Sequence, residues 1–274
     1  LPSLRLDSFS FKVLEEIQGY KKSGLTFAPE AGTQRLRNVI NKSITDRDIY
    51  RSMEQAIELG WTNIKLYFMV GLPSETFEDL DGIVEIARNI TDINYRITGK
   101  RGRFNVTVSV SNFVPKAHTP FQWFPQDASE LLHEKHMYLK ERVKKIKGVS
   151  FHYHGTEASH MEAVFARGDR RVCDALIRAV ELGCKFDGWH EHFNYGLWLR
   201  AFQETGLDPD FYAGRERTYE EILPWDLIDA GITKEFLISE NEKAAAGTQS
   251  IDCRHRCIGC GINRKVSCTR EGTL

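Results

Sequence analysis

The chain has 274 residues, of which 37 are basic and 38 acidic, so its formal net charge is −1. This balance gives no argument for binding nucleic acid or a membrane surface through overall charge. No apolar run approaches the length of a membrane span and no signal-peptide pattern is found, so we expect a cytoplasmic protein without a membrane partner.

Strands and helices alternate along the first half of the sequence. Apolar runs predict strands at residues 4–7, 24–29, 64–70 and 104–113. Helix caps lie between them, namely Thr33, a capping box from Thr45 to Asp48, and Thr76, while Gly60 suits a left-handed helix end. The almost unbroken apolar run at 64–70 is typical of a buried parallel strand with helical crossovers. The pattern predicts an α/β fold, either a barrel or a doubly wound sheet.

Two loops that follow these strands carry Gly, Pro and Glu. They comprise residues 28–32, Ala-Pro-Glu-Ala-Gly, and residues 71–75, Gly-Leu-Pro-Ser-Glu. Because α/β enzymes place ligands at the carboxyl ends of parallel strands, we expect the functional site at these loops. An aldolase-type barrel would need a catalytic Lys or paired carboxylates at the strand ends, and it ranks last because Lys65 lies inside its strand.

The second half of the chain is mainly helical and rich in aromatic residues. Helices are predicted at residues 129–147 and 161–182, with a short strand at 149–154 between them. The basic run at 142–147 is interpreted as a solvated helix face in preference to an RNA contact. Trp and Phe residues between 186 and 225 indicate either an aromatic core or a docking surface.

Four of the six cysteines lie close together near the end of the chain. Cys257 and Cys260 have the spacing of a metal knuckle, and Gly261 relieves the tight turn that follows. Cys253 supplies a third thiolate and Cys268 a fourth. In a chain without an export signal this clustering favours metal over disulfides. Structural zinc, an iron–sulfur cluster and unliganded thiols all remain open.

Several motifs resemble those of a known enzyme superfamily. Residues 30–33, Glu-Ala-Gly-Thr, and residues 68–76, Phe-Met-Val-Gly-Leu-Pro-Ser-Glu-Thr, are similar to the second half of a radical S-adenosylmethionine barrel. The similarity is closest to the branch whose members often carry an upstream cobalamin-binding domain. Residues 162–171, 186–189, 223–226 and 252–254 resemble one uncharacterised family in that branch.

The resemblance implies a division of the chain into three parts. Residues 1–126 would be the distal part of a partial (βα)6 TIM-like barrel, holding its third to sixth strands. Residues 127–245 would be the helical, aromatic-rich region, and residues 246–274 the Cys-rich metal-binding tail. The first two strands, with the three cysteines that bind a 4Fe–4S cluster, would lie upstream in the same polypeptide. We therefore expect this chain to be catalytically silent alone.

The resemblance also implies which residues contact S-adenosylmethionine. Glu30 would meet its ribose or amino-acid part, and the backbone of Met69, Val70 and Gly71 would line the adenine. The other implied cofactor-binding residues are Gly32, Pro115 and Lys116. For Glu30, the alternative is a loop carboxylate stabilised by the dipole of the following helix.

The implied reaction begins with a 5′-deoxyadenosyl radical, which abstracts hydrogen from an unknown substrate or leads to group transfer. Cobalamin in the full-length protein, the transferred group and the oligomeric state stay open. The alternative is a binding module, in which zinc at Cys253, Cys257, Cys260 and Cys268 forms a knuckle that docks RNA or a protein partner.

Overall fold

The computed structural model describes residues 24–99, 102–266 and 268, and the strand predicted at 4–7 lies outside them. The chain divides into two compact units. Unit 1 contains the described residues of Leu1–Asn112, Leu131–His154 and Lys243–Ser250. Unit 2 contains those of Phe113–Glu130, Gly155–Glu242 and Ile251–Leu274. No helix in the described part of the chain is long and apolar enough to cross a membrane.

Unit 1 is built on a parallel four-stranded sheet. Its strands follow the sequence in the order β1 Leu25–Glu30, β2 Asn63–Val70, β3 Asn105–Asn112 and β4 Val149–Tyr153. Leu25 pairs with Ile64, Ile64 with Val106, and Val106 with Val149, so neighbouring strands start at the same level. The strands predicted at 24–29, 64–70, 104–113 and 149–154 are confirmed. The sheet continues into β4, beyond the segment that the resemblance takes as the sixth strand.

Local capping residues fix the helices of unit 1, which are α1 Gln34–Val39, α2 Asp46–Glu58, α3 Phe77–Thr98 and α4 Ser129–Val143. The Thr33 hydroxyl accepts a hydrogen bond from the Leu36 N–H at 3.2 Å. The predicted capping box of Thr45 and Asp48 is present, and Gly60 has a φ of 79°. These contacts satisfy helix-end donors within the chain's own local sequence.

The helices of unit 1 pack against one face of the sheet. Alternate residues of β1, β2 and β3, such as Phe27, Leu66 and Val108, form one buried cluster with α2, α3 and α4. The residues between them, such as Lys65 and Thr107, are only partly buried. A doubly wound sheet carries helices on both faces, whereas a barrel carries them on its outer face only. The one-sided packing among the described residues is typical of a barrel.

Unit 2 is mainly helical. Its core joins the helices α5 Thr156–Arg167, α6 Val172–Glu181, α7 Tyr195–Glu204 and α8 Pro209–Ala213 around buried residues that include Trp198, Phe202 and Tyr212. The helix α9 Lys234–Ala245 and a short 3-10 turn at Ile262–Arg264 follow. The single helix predicted over 161–182 is wrong, because the chain is extended at Gly168, with φ −67° and ψ 160°, and α6 begins only at Val172.

A buried arginine ties together the segments on either side of this break. The Arg167 guanidinium is fully buried and donates hydrogen bonds to the carbonyl oxygens of Tyr212 and Arg215 at 2.9 and 2.8 Å. Burial, together with the nearby guanidinium groups of Arg217 and Arg215, lowers the pKa of Arg167 to about 10. The Arg167 carbonyl in turn accepts from Arg217 at 2.6 Å. Arg167 is therefore a packing residue of unit 2.

Candidate functional site

Glu30 ends β1 at the carboxyl edge of the sheet. Its φ is 70°, a left-handed conformation that is uncommon for a residue with a side chain. The strand register shifts between Phe27 and Glu30, and beyond this irregularity Glu30 pairs with Phe68 of β2. The carboxylate is 27% exposed, and the Lys42 ammonium donates to it at 3.3 Å. The structure thus presents a partly exposed carboxylate at a fixed backbone position.

Arg37 fixes the backbone of the loop after Glu30. This side chain is fully buried, and its guanidinium donates to the carbonyl oxygens of Ala31 at 3.1 Å and Ile44 at 3.0 Å. It also forms an ion pair with Asp46 at the start of α2. Because donors of one planar group bind the loop at Ala31 and the segment before α2 at Ile44, the guanidinium ties these two segments together.

Gly32 is required by the packing of this loop against α3. A Cβ atom on Gly32 would collide with the Asp79 carbonyl and the Ile83 nitrogen, and would lie 2.8 Å from the carbonyl carbon of Gly82. Gly82 is equally close to Gly32 on the other side of the contact. The two glycines therefore bring backbone against backbone. The contact gives Gly32 a structural role that is independent of any cofactor.

Asp79 connects the two loops. This buried carboxylate accepts hydrogen bonds from the Thr33 hydroxyl in the first loop and from the Thr76 N–H at 2.8 Å in the second. Arg35 forms an ion pair with it. Burial raises the pKa of Asp79, but the hydrogen bonds from Thr33, Thr76 and Arg35 outweigh it and hold the pKa below its usual value. Asp79 is therefore ionised at neutral pH.

A buried ion pair holds the second loop. Gly71 has a φ of 80°, and its N–H donates to the Glu75 carboxylate at 2.8 Å. The Lys135 ammonium on α4 donates to the same oxygen at 2.8 Å, and these side chains are only 1% and 6% exposed. Removing one member of such a pair leaves an uncompensated buried charge. The pair therefore locks the loop after β2 to α4.

The neighbouring residues of β2 face opposite sides of the sheet. Val70 is fully buried in the cluster formed with the helices. Met69 lies in register with Ser111 and is only partly buried, as is expected from the alternation of side chains along a strand. The backbone of both residues is predicted to line the adenine, and of their side chains only that of Met69 lies on the face away from the helices.

Five of the seven predicted cofactor residues meet at this edge of unit 1. They are Glu30, Gly32, Met69, Val70 and Gly71, at the ends of β1 and β2. Pro115 and Lys116 belong to unit 2, where Lys116 forms an ion pair with Glu162. Contact of any of these residues with S-adenosylmethionine stays a prediction.

The four clustered cysteines lie in unit 2. Cys253 and Cys257 are exposed, Cys260 and Cys268 are partly buried, and all four thiols are free. Gly261 has a φ of 95°, and the Cys260 carbonyl accepts from the Thr233 N–H at 3.0 Å, so the turn itself is well defined. Within residues 24–99, 102–266 and 268, no three His, Cys, Asp or Glu side chains are grouped as metal ligands. The metal site stays a prediction from spacing.

Three residues that organise the site were not expected from the sequence. Asp79 had a visible signal, because it stands three residues after Thr76 as in a capping box, and that box is present. Arg37 and Lys135 had none. Lys135 lies 60 residues from its partner Glu75 and is surrounded in sequence by other charged residues of α4.

Comparison with known proteins agrees with the motifs. Residues 2–87 match the family model of the Radical SAM superfamily. This match confirms, for that segment, the superfamily that the motifs indicate. An uncharacterized protein of Methanocaldococcus jannaschii is 33% identical over 174 residues, which are 64% of this chain and 36% of that protein. The chain therefore matches about a third of the length of this relative.

Proposed function

We propose that the chain is part of a radical S-adenosylmethionine enzyme and that the edge formed by Glu30 and Gly71 faces S-adenosylmethionine. One observation carries the proposal. A partly exposed carboxylate stands at the end of a parallel strand, held by a left-handed backbone, inside the segment that matches the superfamily. Ligand sites of barrel enzymes lie at this end of the strands.

The sheet supports a partial-barrel interpretation. Under this proposal β1, β2 and β3 are the fourth to sixth strands of the six-stranded barrel. The one-sided helix packing agrees with it. β4 is a further parallel strand beside β3, which the six-strand numbering does not include.

Glu30 would bind the polar part of the cofactor. An ionised carboxylate accepts hydrogen bonds from vicinal hydroxyls or from an ammonium group, and charge-assisted bonds of this kind are the stronger ones. Lys42 approaches one carboxylate oxygen only, Oε1. The other oxygen, Oε2, would receive the ligand.

Gly71 would allow the adenine to approach the backbone closely, because it has no side chain. Its N–H is already bound by Glu75. Met69, half-buried on the face away from the helices, would add apolar contact. The locked loops mean that little ordering is needed when the ligand binds.

Together with a reduced 4Fe–4S cluster, bound S-adenosylmethionine supplies radical chemistry for hydrogen abstraction. The residues of the matched segment do not fit the cluster, since the first cysteine of the sequence is Cys173 and residues 2–87 contain none. The part of these residues is to bind and orient the cofactor.

The proposal is tested by calorimetric titration of the purified chain with the unreactive analogue S-adenosylhomocysteine. We expect measurable binding that Glu30→Gln weakens at least tenfold, as is typical for loss of a charged hydrogen-bond acceptor. The matched control is Glu58→Gln on the exposed end of α2, which should leave the affinity unchanged. Binding that is absent, or equal in both variants, would overturn the proposal.

A further inference from the structure

The face of the sheet that carries no helices among the described residues is polar. Its side chains lie in rows across the strands, because the register pairs Thr26 with Lys65, Tyr67 with Ser109, and Met69 with Ser111. The rows extend to Ser150 and His152 on β4. We call this set the polar face; it comprises Thr26, Lys65, Tyr67, Met69, Thr107, Ser109, Ser111, Ser150 and His152.

Lys65 is the permanent cation of the polar face. It lies in the row of Thr26, Thr107 and Ser150, which offer only hydroxyl groups. Its ammonium group stands 4.8 Å from the centre of the Tyr67 ring. No carboxylate in the described part of the chain forms an ion pair with it. A half-buried ammonium is usually paired with a carboxylate, whereas within the described residues the Lys65 ammonium has the Tyr67 ring as its neighbour.

The rest of the polar face is also without negative charge. Its members on β2, β3 and β4 include hydroxyls, one thioether and one imidazole, and no Asp or Glu. The acidic group at the end of β1 is Glu30, which pairs with Lys42. Glu30 pairs with Phe68, three residues beyond Lys65 along β2, which is roughly 10 Å of strand. The negative and positive groups thus occupy different levels of the sheet.

We infer that Lys65 binds the anionic group, a carboxylate or a phosphate, of a small-molecule substrate held on the polar face. Thr107 is paired with Lys65 in the register, and Tyr67 and Ser109 form the next row on the same face, so these residues add hydroxyl groups that donate to an anion. That this anion is a substrate rests on the proposed function. The anion site itself does not depend on S-adenosylmethionine.

The direct test is the acetylation rate of each lysine in the folded 274-residue chain, resolved by mass spectrometry. The probes are inorganic phosphate, pyrophosphate and succinate, with sodium chloride of equal ionic strength as the reference and an RNA oligonucleotide as a further arm. We expect one of the small anions to slow acetylation of Lys65 at least fivefold and saturably. Lys145, an exposed residue at the end of α4, is the internal control and should not change.

Two outcomes would overturn the inference. One is a Lys65 rate that no small anion changes, or that changes only as much as the Lys145 rate. The other is protection by RNA alone, which would assign the face to a nucleic acid. Protection by phosphate would identify a phosphate group as the ligand of Lys65, and protection by succinate would identify a carboxylate.

Paired variants separate this inference from the proposed function. Lys65→Met should weaken binding of the protecting anion at least tenfold, while Lys65→Arg, which keeps the charge, should retain most of it. Neither variant should alter the affinity for S-adenosylhomocysteine, whereas Glu30→Gln should alter that affinity alone. If Lys65→Met stays folded by circular dichroism and binds the anion as tightly as the unchanged chain, Lys65 is not the anion ligand.

Discussion

The two loops at the edge of unit 1 and the cysteine tail of unit 2 were both recognised as sequence motifs, but they differ in tertiary support. Each loop is held by a buried charged side chain from elsewhere in unit 1, Arg37 or Lys135, and Asp79 joins them. In the tail, the Cys260 turn is anchored to Thr233, and the described residues group no three metal ligands there. A motif with buried partners of its own is thus a stronger indication of a site than spacing alone.

The largest predicted effect comes from breaking the ion pair under the second loop. Lys135→Met should lower the free energy of unfolding by about 4 kcal/mol, because the buried Glu75 carboxylate loses the ammonium group that stands 2.8 Å from it. Urea denaturation measures it. The double variant Glu75→Gln with Lys135→Met should lose less than the single variant, since no charge is left unpaired. A single-variant loss below about 1 kcal/mol would show that the pair does not lock the loop.

Low pH should lower the stability of unit 1 through His136, which is fully buried and packs against the Tyr153 ring. Burial, with smaller contributions from His133 and His154, lowers the pKa of His136 from 6.5 to about 4. Between these values the unfolded chain binds a proton that the folded chain does not. Stability therefore falls as the pH decreases from 6.5 to about 4, by roughly 3 kcal/mol in total.

The measurement for His136 is the unfolding free energy as a function of pH. His136→Phe should flatten the profile over this range, whereas His133→Gln, at an exposed position on the same helix, should not. Equal profiles for the two variants would contradict the buried neutral state of His136.

The next largest loss of stability is expected from disrupting the contact between Gly32 and α3. Gly32→Ala should cost about 2 kcal/mol or more, because the atoms around the new Cβ are backbone and cannot move aside. Gly102→Ala is the matched control, since a Cβ there meets nothing within 4 Å. A thermal melt that shifts equally for both variants would exclude the tight packing.

A local cap should have a smaller effect than these long-range contacts. Thr45→Ala removes the hydroxyl that accepts from the Asp48 N–H at 3.2 Å, and we expect a loss of about 1 kcal/mol. Thr62→Ala, at an exposed position before β2, should cost less than half as much. If Thr45→Ala exceeded Gly32→Ala in a urea titration, the comparison of local with tertiary support would fail.

The tail should contribute least to stability. Cys257→Ser, at an exposed position, should change the unfolding free energy by about 0.5 kcal/mol or less in metal-free protein. If the predicted metal site forms, protein purified without chelator should expose one thiol, that of Cys173, to a thiol reagent in denaturant-free buffer, because Cys184 is buried, and EDTA should raise that number. The predicted metal site would be contradicted if EDTA left the thiol reactivity unchanged and elemental analysis found neither zinc nor iron.

The parts of the fold that were predictable depend on residues close in sequence. The capping boxes at Thr45 and Thr76 and the apolar alternation of β3 follow from neighbours within a few positions. These local rules operate before tertiary structure forms, so a sequence pattern reveals them. The predicted parallel strands and helical crossovers depend on the same kind of signal.

The contacts that could not be predicted join distant residues. Lys135 was one charge among many on α4, and only the fold brings it to Glu75. The break at Gly168 was hidden because its surroundings have a helical pattern, while Arg167 binds backbone more than 40 residues away. The side of the sheet on which Lys65 lies also depended on which face the helices cover. These features depend on burial and on contacts between residues far apart in the chain, which local sequence patterns do not indicate.

Photolabelling tests most directly whether the edge of β1 and β2 faces the cofactor. The purified chain is irradiated with 8-azido-S-adenosylmethionine, and the labelled residues are identified by mass spectrometry. We predict label within residues 69–71, reduced at least fivefold by excess S-adenosylhomocysteine. Label that is absent from this segment, or confined to the cysteine tail at residues 251–268, would contradict the account.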